Sequence, residues 1–354
     1  MNASLPNVVF VFADQWRAQA TGFAGNPGVR TPNLDALAAR SVNVTHAISG
    51  CPVCSPYRAS LLTGQYPHTH GVFVNDVHLA DDAGSIAKVF SHAGYSTGYI
   101  GKWHLDGRGR KNYIPPESRQ GFDFWQVLEC THDYNASEYY AGNDSRMLVW
   151  DGYDAHAQTA EACRFIRARA TEADPFLLFL SWGPPHAPYG TAPEEYRRLY
   201  PENDIVLRPN VPEDRAREAR RDSAGYYAHC TALDDCVGRI MATIEQAGVS
   251  DETIFIFTSD HGDMLFSHGA QKKQQPYEES VRVPFLLHYP PLGTREVSLQ
   301  IDAQDIMPTL LGLIGLDSPA GVQGRDMSPA LRGEAMNVED AVLLSCYVPF
   351  GQWQ

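Results

Sequence analysis

Residues 51–64 read Cys-Pro-Val-Cys-Ser-Pro-Tyr-Arg-Ala-Ser-Leu-Leu-Thr-Gly, and within them Cys54, Pro56 and Arg58 form a C-x-P-x-R core. A sulfur nucleophile followed four residues later by a guanidinium suggests group transfer. Arg58 cannot lose its proton and can clamp an oxyanion. Cys51 and Cys54 also form a C-x-x-C, which has two rival readings. Zinc would want a second pair of similar spacing, and Cys230 and Cys236 stand too far apart. A thioredoxin-like pair would open a helix directly after a strand, without Pro56 and Arg58.

Further reactive groups are scattered along the chain. Asp14-Gln15 and Asp260-His261 together offer two carboxylates, an amide oxygen and an imidazole. Such a set can hold one divalent cation; the oxygens suit calcium or magnesium, and the imidazole leans toward manganese or zinc. The bland alternative is that these aspartates only cap helices. Lys102 and His104 alternate in Gly-Lys-Trp-His-Leu, so an extended segment would send both side chains into one pocket. Taken alone, that spacing also fits a solvated loop. His186 lies in Pro-Pro-His-Ala-Pro, and a histidine among prolines is usually a rigid-loop residue.

The C-x-P-x-R stretch with its trailing Leu61-Leu62-Thr63-Gly64 resembles the signature of type I sulfatases, of the alkaline phosphatase superfamily. The resemblance runs from Asn7 to the Gly324–Gly333 stretch and implies a sulfate monoester hydrolase acting on an aryl or carbohydrate sulfate. It implies that Cys54 is oxidised to formylglycine, whose hydrate is the nucleophile, so a formylglycine-generating or anaerobic sulfatase-maturating enzyme becomes a partner. It implies a divalent metal, with calcium the family's ion and magnesium or manganese as alternatives, bound by Asp14, Gln15, Asp260, His261 and the modified Cys54. Arg58, Lys102 and His104 would orient the nucleophile, and Asp260 would also accept its proton. Lys102, His186 and Lys273 would contact the sulfate, with His186 serving the leaving group. Counting six positions from His268 in the family's His-Gly-x-x-x-Lys pattern selects Lys273 over Lys272. Asn75 is a further sulfate contact by its distance from the cysteine. Related phosphonate monoesterases share the Asp-Gln pair but usually replace the lysine and histidine that Lys102 and His104 match. That makes a phosphonate monoester or phosphodiester hydrolase the alternative activity, and a silent sulfated-sugar binder the outcome if Cys54 stays unmodified.

These residues need a scaffold that gathers them. Short apolar runs alternate with helical patterns, as in an α/β sheet. Strands are expected at Val8–Ala13, Ser96–Gly101, Pro175–Trp182, Thr253–Thr258 and Val283–Tyr289. Helices are expected from Pro32, from Arg58 to Leu62 after a loop bearing Cys54, and at Ser85–Ala93, 156–172, 213–247 and Asp305–Ile314. Asp14-Gln15, Lys102–His104, His186 and Asp260-His261 each follow a strand, at the edge where open α/β sheets build their sites. With the resemblance, this implies an alkaline-phosphatase-like α/β/α sandwich around a large mixed, mostly parallel sheet. Loops around 106–150 and 189–222 would set specificity. Trp125, Tyr134, Tyr139 and Tyr140 could stack on a sugar or aryl ring there, although packing is their commoner role.

The 354 residues include 28 Lys and Arg against 42 Asp and Glu, a formal charge of −14. That balance argues against nucleic acid as a partner and requires a local positive pocket to draw an anionic substrate. The apolar run Val8–Ala13 is too short for a signal peptide or a membrane span. Seven scattered cysteines form a poor disulfide framework. As written, the chain therefore reads as cytoplasmic and off the membrane; a trimmed N-terminus would also fit a periplasmic or secreted protein. Two features depart from the family. Tyr57 stands where a small residue is usual, and the chain stops soon after the apolar run Ala341–Val348. The expected organisation is a catalytic domain over 1–340, with 341–354 beginning a truncated C-terminal subdomain.

Overall fold

The computed structural model describes residues 5–347. Ten strands form one mixed sheet in the order 295–297, 42–44, 285–288, 253–259, 7–14, 176–185, 96–102, 124–128, 138–141, 148–149. The central strand Asn7–Asp14 runs parallel to Phe176–Pro185 on one side and Thr253–Ser259 on the other. Ser96–Lys102 continues the parallel block beyond Phe176–Pro185. Both outer regions include antiparallel pairings. Residues in the central strand are buried on both faces, which explains why it reads as an unbroken apolar run.

Side-chain alternation divides that strand between two cores. Val8, Phe10 and Phe12 join the core that includes helix Cys54–Thr63 and helix Ala303–Ile314. Val9, Val11 and Ala13 join the opposite core with helices Asp154–Arg169 and Ala216–Gln246. The result is the expected α/β/α sandwich. Parallel alignment places the carboxyl ends of four strands along one edge, where Asp14, Lys102, Pro185 and Ser259 stand.

Several elements differ from expectation. The signature helix spans Cys54–Thr63, so Cys54 is its first residue and not part of a preceding loop. Pro56 reads as a loop residue but falls in the first turn, where its missing N–H costs no helical hydrogen bond. Strand Phe176–Pro185 runs through both prolines, with a register irregularity opposite Phe12–Asp14. The run Val283–Tyr289 is broken at Pro284. Arg282–Val283 pairs in a small three-stranded sheet, while Phe285–His288 joins the main one. Residues 124–149 supply three sheet strands where specificity loops were expected.

No helix among the described residues is long and apolar enough to cross a membrane. Among the described residues, Cys51 and Cys54 form no disulfide. Residues 341–347 form neither helix nor strand, and Leu343, Leu344 and Tyr347 are exposed. Residues 1–4 of the expected 1–340 domain, and 348–354 of the expected 341–354 unit, lie outside the described residues.

Candidate active site

Cys54 is buried at the first position of its helix. Val53, the preceding residue, offers no side-chain cap, so Asn75 supplies one: its Oδ1 accepts from Ser55 N at 3.0 Å. Asn75 thus braces the nucleophile's helix through its oxygen, a bond that does not use Nδ2, the atom that could donate to a sulfate oxygen.

Four groups converge on the Cys54 sulfur. Lys273 Nζ lies 3.3 Å away, His261 Nε2 3.3 Å, Asp14 Oδ1 3.5 Å and Lys102 Nζ 3.8 Å. Burial and Asp14 would raise the thiol's pKa, but Lys102 and Lys273 pull it below the ordinary value. Burial pushes the Cys51 thiol up to about 12, which speaks against a redox pair.

The two carboxylates divide their oxygens by role. Asp14 Oδ2 accepts from Lys102 Nζ and, at 3.4 Å, from Arg58 Nη2. Asp260 Oδ2 accepts from Arg58 Nη2 at 3.2 Å. Both Oδ1 atoms face inward, 3.6 and 3.5 Å from His261 Nε2. Burial would raise the Asp14 carboxyl, but Lys102, His186, Lys273 and His261 hold it well below the usual range.

His261 Nδ1 lies 3.0 Å from Gly262 O, which can only accept, so the ring's lone pair is on Nε2. Burial lowers this imidazole to about 4, keeping it neutral at pH 7. Donor atoms of Asp14, Cys54, Asp260 and His261 all lie within 4.8 Å of one another. Two inward carboxylate oxygens and a neutral imidazole nitrogen fit a divalent cation.

Gln15 is oriented by residues the sequence did not single out. Its Nε2 donates to Asp263 Oδ2 at 2.7 Å, Tyr189 OH donates to the same oxygen, and its Oε1 accepts from Lys273 Nζ at 3.0 Å. Lys273, the lysine that counting along the family pattern selects, thus lies at the site, whereas Lys272 gives its carbonyl to Met264 N. Asp263 follows His261 by two residues, so a search for every acid near the Asp-His pair could have found it.

Arg58 is fully enclosed. Nη1 donates to Lys102 O at 2.8 Å and Ser181 Oγ at 2.7 Å, and the guanidinium sits 4.8 Å above the Phe12 ring. Gly101 permits this: a Cβ there would sit 2.0 Å from Ser181 O. Only glycine allows that approach.

His104 turns its Nε2 to Asp76 Oδ1 at 3.3 Å. His186 stacks flat on His132, with ring centroids 4.5 Å apart, and its Nδ1 meets Ala187 O. Burial and Lys273 hold His186 well below its ordinary pKa. Trp125, Tyr134 and Tyr140 are buried core residues and Tyr139 stacks on Trp150, so packing is their role.

A family model described as Sulfatase matches residues 6–316. An ulvan-active sulfatase from Formosa agariphila is 41% identical over 350 residues, covering 98% of this chain and 68% of that protein. A solved Bacteroides thetaiotaomicron structure, titled for glycosaminoglycan metabolism and a 4S-sulfatase, superposes with a TM-score of 0.87 at 32% identity, covering 95% and 78% of the two chains. A phosphonate monoester hydrolase of Agrobacterium radiobacter superposes at 0.76 with 25% identity, covering 94% and 78%. The fold and the gathered cations thus define an alkaline-phosphatase-superfamily hydrolase. The chain belongs to the sulfatase family and is a sulfuric ester hydrolase.

Proposed function

We propose that the protein hydrolyses a carbohydrate sulfate ester, using formylglycine at position 54 and a divalent ion held by Asp14, Asp260 and His261, with Gln15 adjacent. The observation that carries this reading is the buried focus at Cys54 Sγ, on which Asp14, His261, Lys102 and Lys273 converge, with the Asp260 carboxylate within 4.8 Å. The C-x-P-x-R core that a maturating enzyme would read is intact, and Tyr57 packs inside the core without displacing it. The ion would supply a Lewis acid for a sulfate oxygen, and the aldehyde hydrate an oxygen nucleophile.

The chain's own residues supply the rest. Arg58, Lys102 and Lys273 place three cations against the charges of Asp14 and Asp260. This local excess attracts a sulfate monoanion despite the overall charge of −14. Arg58 fixes both carboxylates, and Lys102 and Lys273 hold the nucleophile between them. His186, at the same edge, can contact the leaving alcohol, but burial and Lys273 favour its neutral ring, so it is not poised to protonate that group at pH 7. Beside Tyr189 and Asp263, a cavity of about 290 Å³ lined by Pro188, Phe266, Gln271 and Lys272 gives room for a bulky leaving group. The ulvan-active relative supports a sugar as that group.

Metal binding has a direct readout. Chelator-treated protein should gain thermal stability on adding calcium, magnesium or manganese, by about 2.7 kcal/mol at a hundredfold excess over Kd. Asp260→Asn should lose most of that gain in calorimetry. If none of the three ions shifts the melting curve, the metal assignment is wrong.

Substrate class is tested by comparing an aryl sulfate with an aryl phosphonate monoester. Retained Lys102 and His104 predict higher kcat/KM for the sulfate by at least about tenfold, a difference of roughly 1.4 kcal/mol in transition-state stabilisation. Faster phosphonate turnover would reassign the chain to the alternative activity.

A further inference from the structure

Two carboxylates outside the metal cluster hold His104 in place. One acts on its main chain. Glu129 Oε1 accepts from Asp106 N and Gly107 N, both at 2.9 Å, Glu129 Oε2 accepts from Leu105 N at 3.2 Å, and Glu129 O accepts from His104 N at 2.8 Å. This clasp closes a turn in which His104 itself has a φ of 58°, a left-handed conformation uncommon outside glycine.

The other carboxylate acts on the ring. His104 Nε2 lies 3.3 Å from Asp76 Oδ1. An ionised carboxylate can only accept, so the nitrogen facing it carries a hydrogen, and in the neutral ring Nδ1 then carries the lone pair. Nδ1 is buried and has no hydrogen-bond partner among the described residues. Buried ring nitrogens are normally paired, so one left open in a fixed ring points to a donor the chain does not supply. Asp76 is fixed in turn: Arg110 donates Nε to Oδ1 at 3.1 Å and Nη2 to Oδ2 at 2.8 Å, a two-point clasp. Asp76 and Arg110 are 43% and 49% exposed, whereas His104 is 2% exposed. The anchor thus lies at the surface and the ring it orients lies inside.

We propose that Asp76, clasped by Arg110, is a positioning residue that locks His104 in the Nε2–H tautomer, reserving Nδ1 as an acceptor for a hydroxyl group. That this hydroxyl is the hydrated side chain at position 54 rests on the function proposed above; the tautomer lock does not. The arrangement matches the general rule that a functional histidine takes its tautomer from whatever its other nitrogen bonds.

The test is nitrogen NMR of protein labelled with 15N-histidine, recorded with Cys54 unmodified and again after maturation. The His104 signal is assigned by its loss in His104→Gln. With the ring in its neutral form, the unmodified protein should show a protonated Nε2 and an unprotonated Nδ1. Maturation should then shift Nδ1 as a hydroxyl donor arrives. Asp76→Ala should mix the tautomers and lower kcat by about 10–100-fold with KM little changed. Asp76→Asn, whose amide oxygen can still accept from Nε2–H, should keep the tautomer and recover much of the rate. Arg110→Gln, at a half-exposed position, should fall between the two. A protonated Nδ1 in the unmodified protein, or an Asp76→Ala variant with unchanged tautomer and kcat, overturns the proposal. A locked tautomer in a protein that never releases sulfate upholds the lock and overturns the function proposed above instead.

Discussion

Cys54→Ala should abolish sulfate release, lowering the turnover of an aryl sulfate on the order of 10⁴-fold or more while the protein stays folded. Losing a nucleophile typically costs that much because the remaining groups can only bind and polarise. Here those groups are Lys102, Lys273 and His261, all within 3.8 Å of the sulfur, and none of them replaces a covalent nucleophile. The side chain removed is small and makes no ion pair of its own, so the melting temperature should move little. Rate assays and a circular-dichroism melt on the same preparation check both halves. Substantial residual turnover by a folded Cys54→Ala protein would contradict the assignment of position 54.

Arg58→Ala should damage stability and activity together. Its guanidinium, 1% exposed, serves Lys102 O, Ser181 Oγ, Asp14 Oδ2 and Asp260 Oδ2 at once. Removing one partner of a buried ion pair leaves uncompensated charge, at a cost of about 3–5 kcal/mol. In this site both Asp14 and Asp260 lose a partner. Lys102 remains on Asp14, so Asp260 is the more exposed to the loss. Arg58→Lys keeps the charge but not the planar fork, and one ammonium cannot satisfy four acceptors in those directions. It should therefore recover only part of the stability. Urea unfolding of the three proteins measures this, and an Arg58→Ala curve superimposed on wild type would refute the account of the cluster.

Divalent ion should restore some stability to wild type after chelation but little to Arg58→Ala. In the variant, Arg58 no longer anchors the Oδ2 atoms, so the carboxylates can turn their Oδ1 atoms away from the ion. That contrast separates an ion site built by the carboxylates from one that merely tolerates an ion.

The residues of the site were legible wherever chemistry depends on local spacing. Asp14-Gln15, Lys102, Asp260-His261 and the C-x-P-x-R core each follow or open a regular element, and the parallel sheet does the gathering. Lys273 could be chosen over Lys272 by counting, and its 3.3 Å approach to Cys54 agrees. Residues that act through others stayed hidden. Asp76, Asp263 and Ser181 bear on His104, Gln15 and Arg58 across sequence separations of 28, 248 and 123 residues, and no local pattern announces such partners. Spacing offers Asn75 as a sulfate contact, and the structure adds that its Oδ1 caps the signature helix. Spacing brought it near the cysteine and could not say which atom it would bond.

The fold shows a similar division. Buried strands such as Thr253–Ser259 announce themselves through β-branched and aromatic runs. Prolines misled in both directions. Pro56 hid the start of a helix, Pro184 and Pro185 ended a strand too soon, and Pro284 joined on paper what the structure assigns to two sheets. The cause is that proline's cost depends on whether its position needs an N–H, and tertiary pairing decides that. Residues 124–149 escaped notice because strands of two to five residues at a sheet margin carry little periodicity.

Trypsin should release residues 41–58 as one peptide, with both Cys51 and Cys54 inside it and no internal lysine or arginine. Mass measurement of this peptide from active, thiol-alkylated enzyme is the most direct test of the central claim. The account predicts one alkylated cysteine, Cys51, and at position 54 a residue lighter than cysteine by the exchange of H₂S for O that captures a hydrazide probe. Fully active enzyme yielding a peptide with two alkylated cysteines and no carbonyl would contradict it.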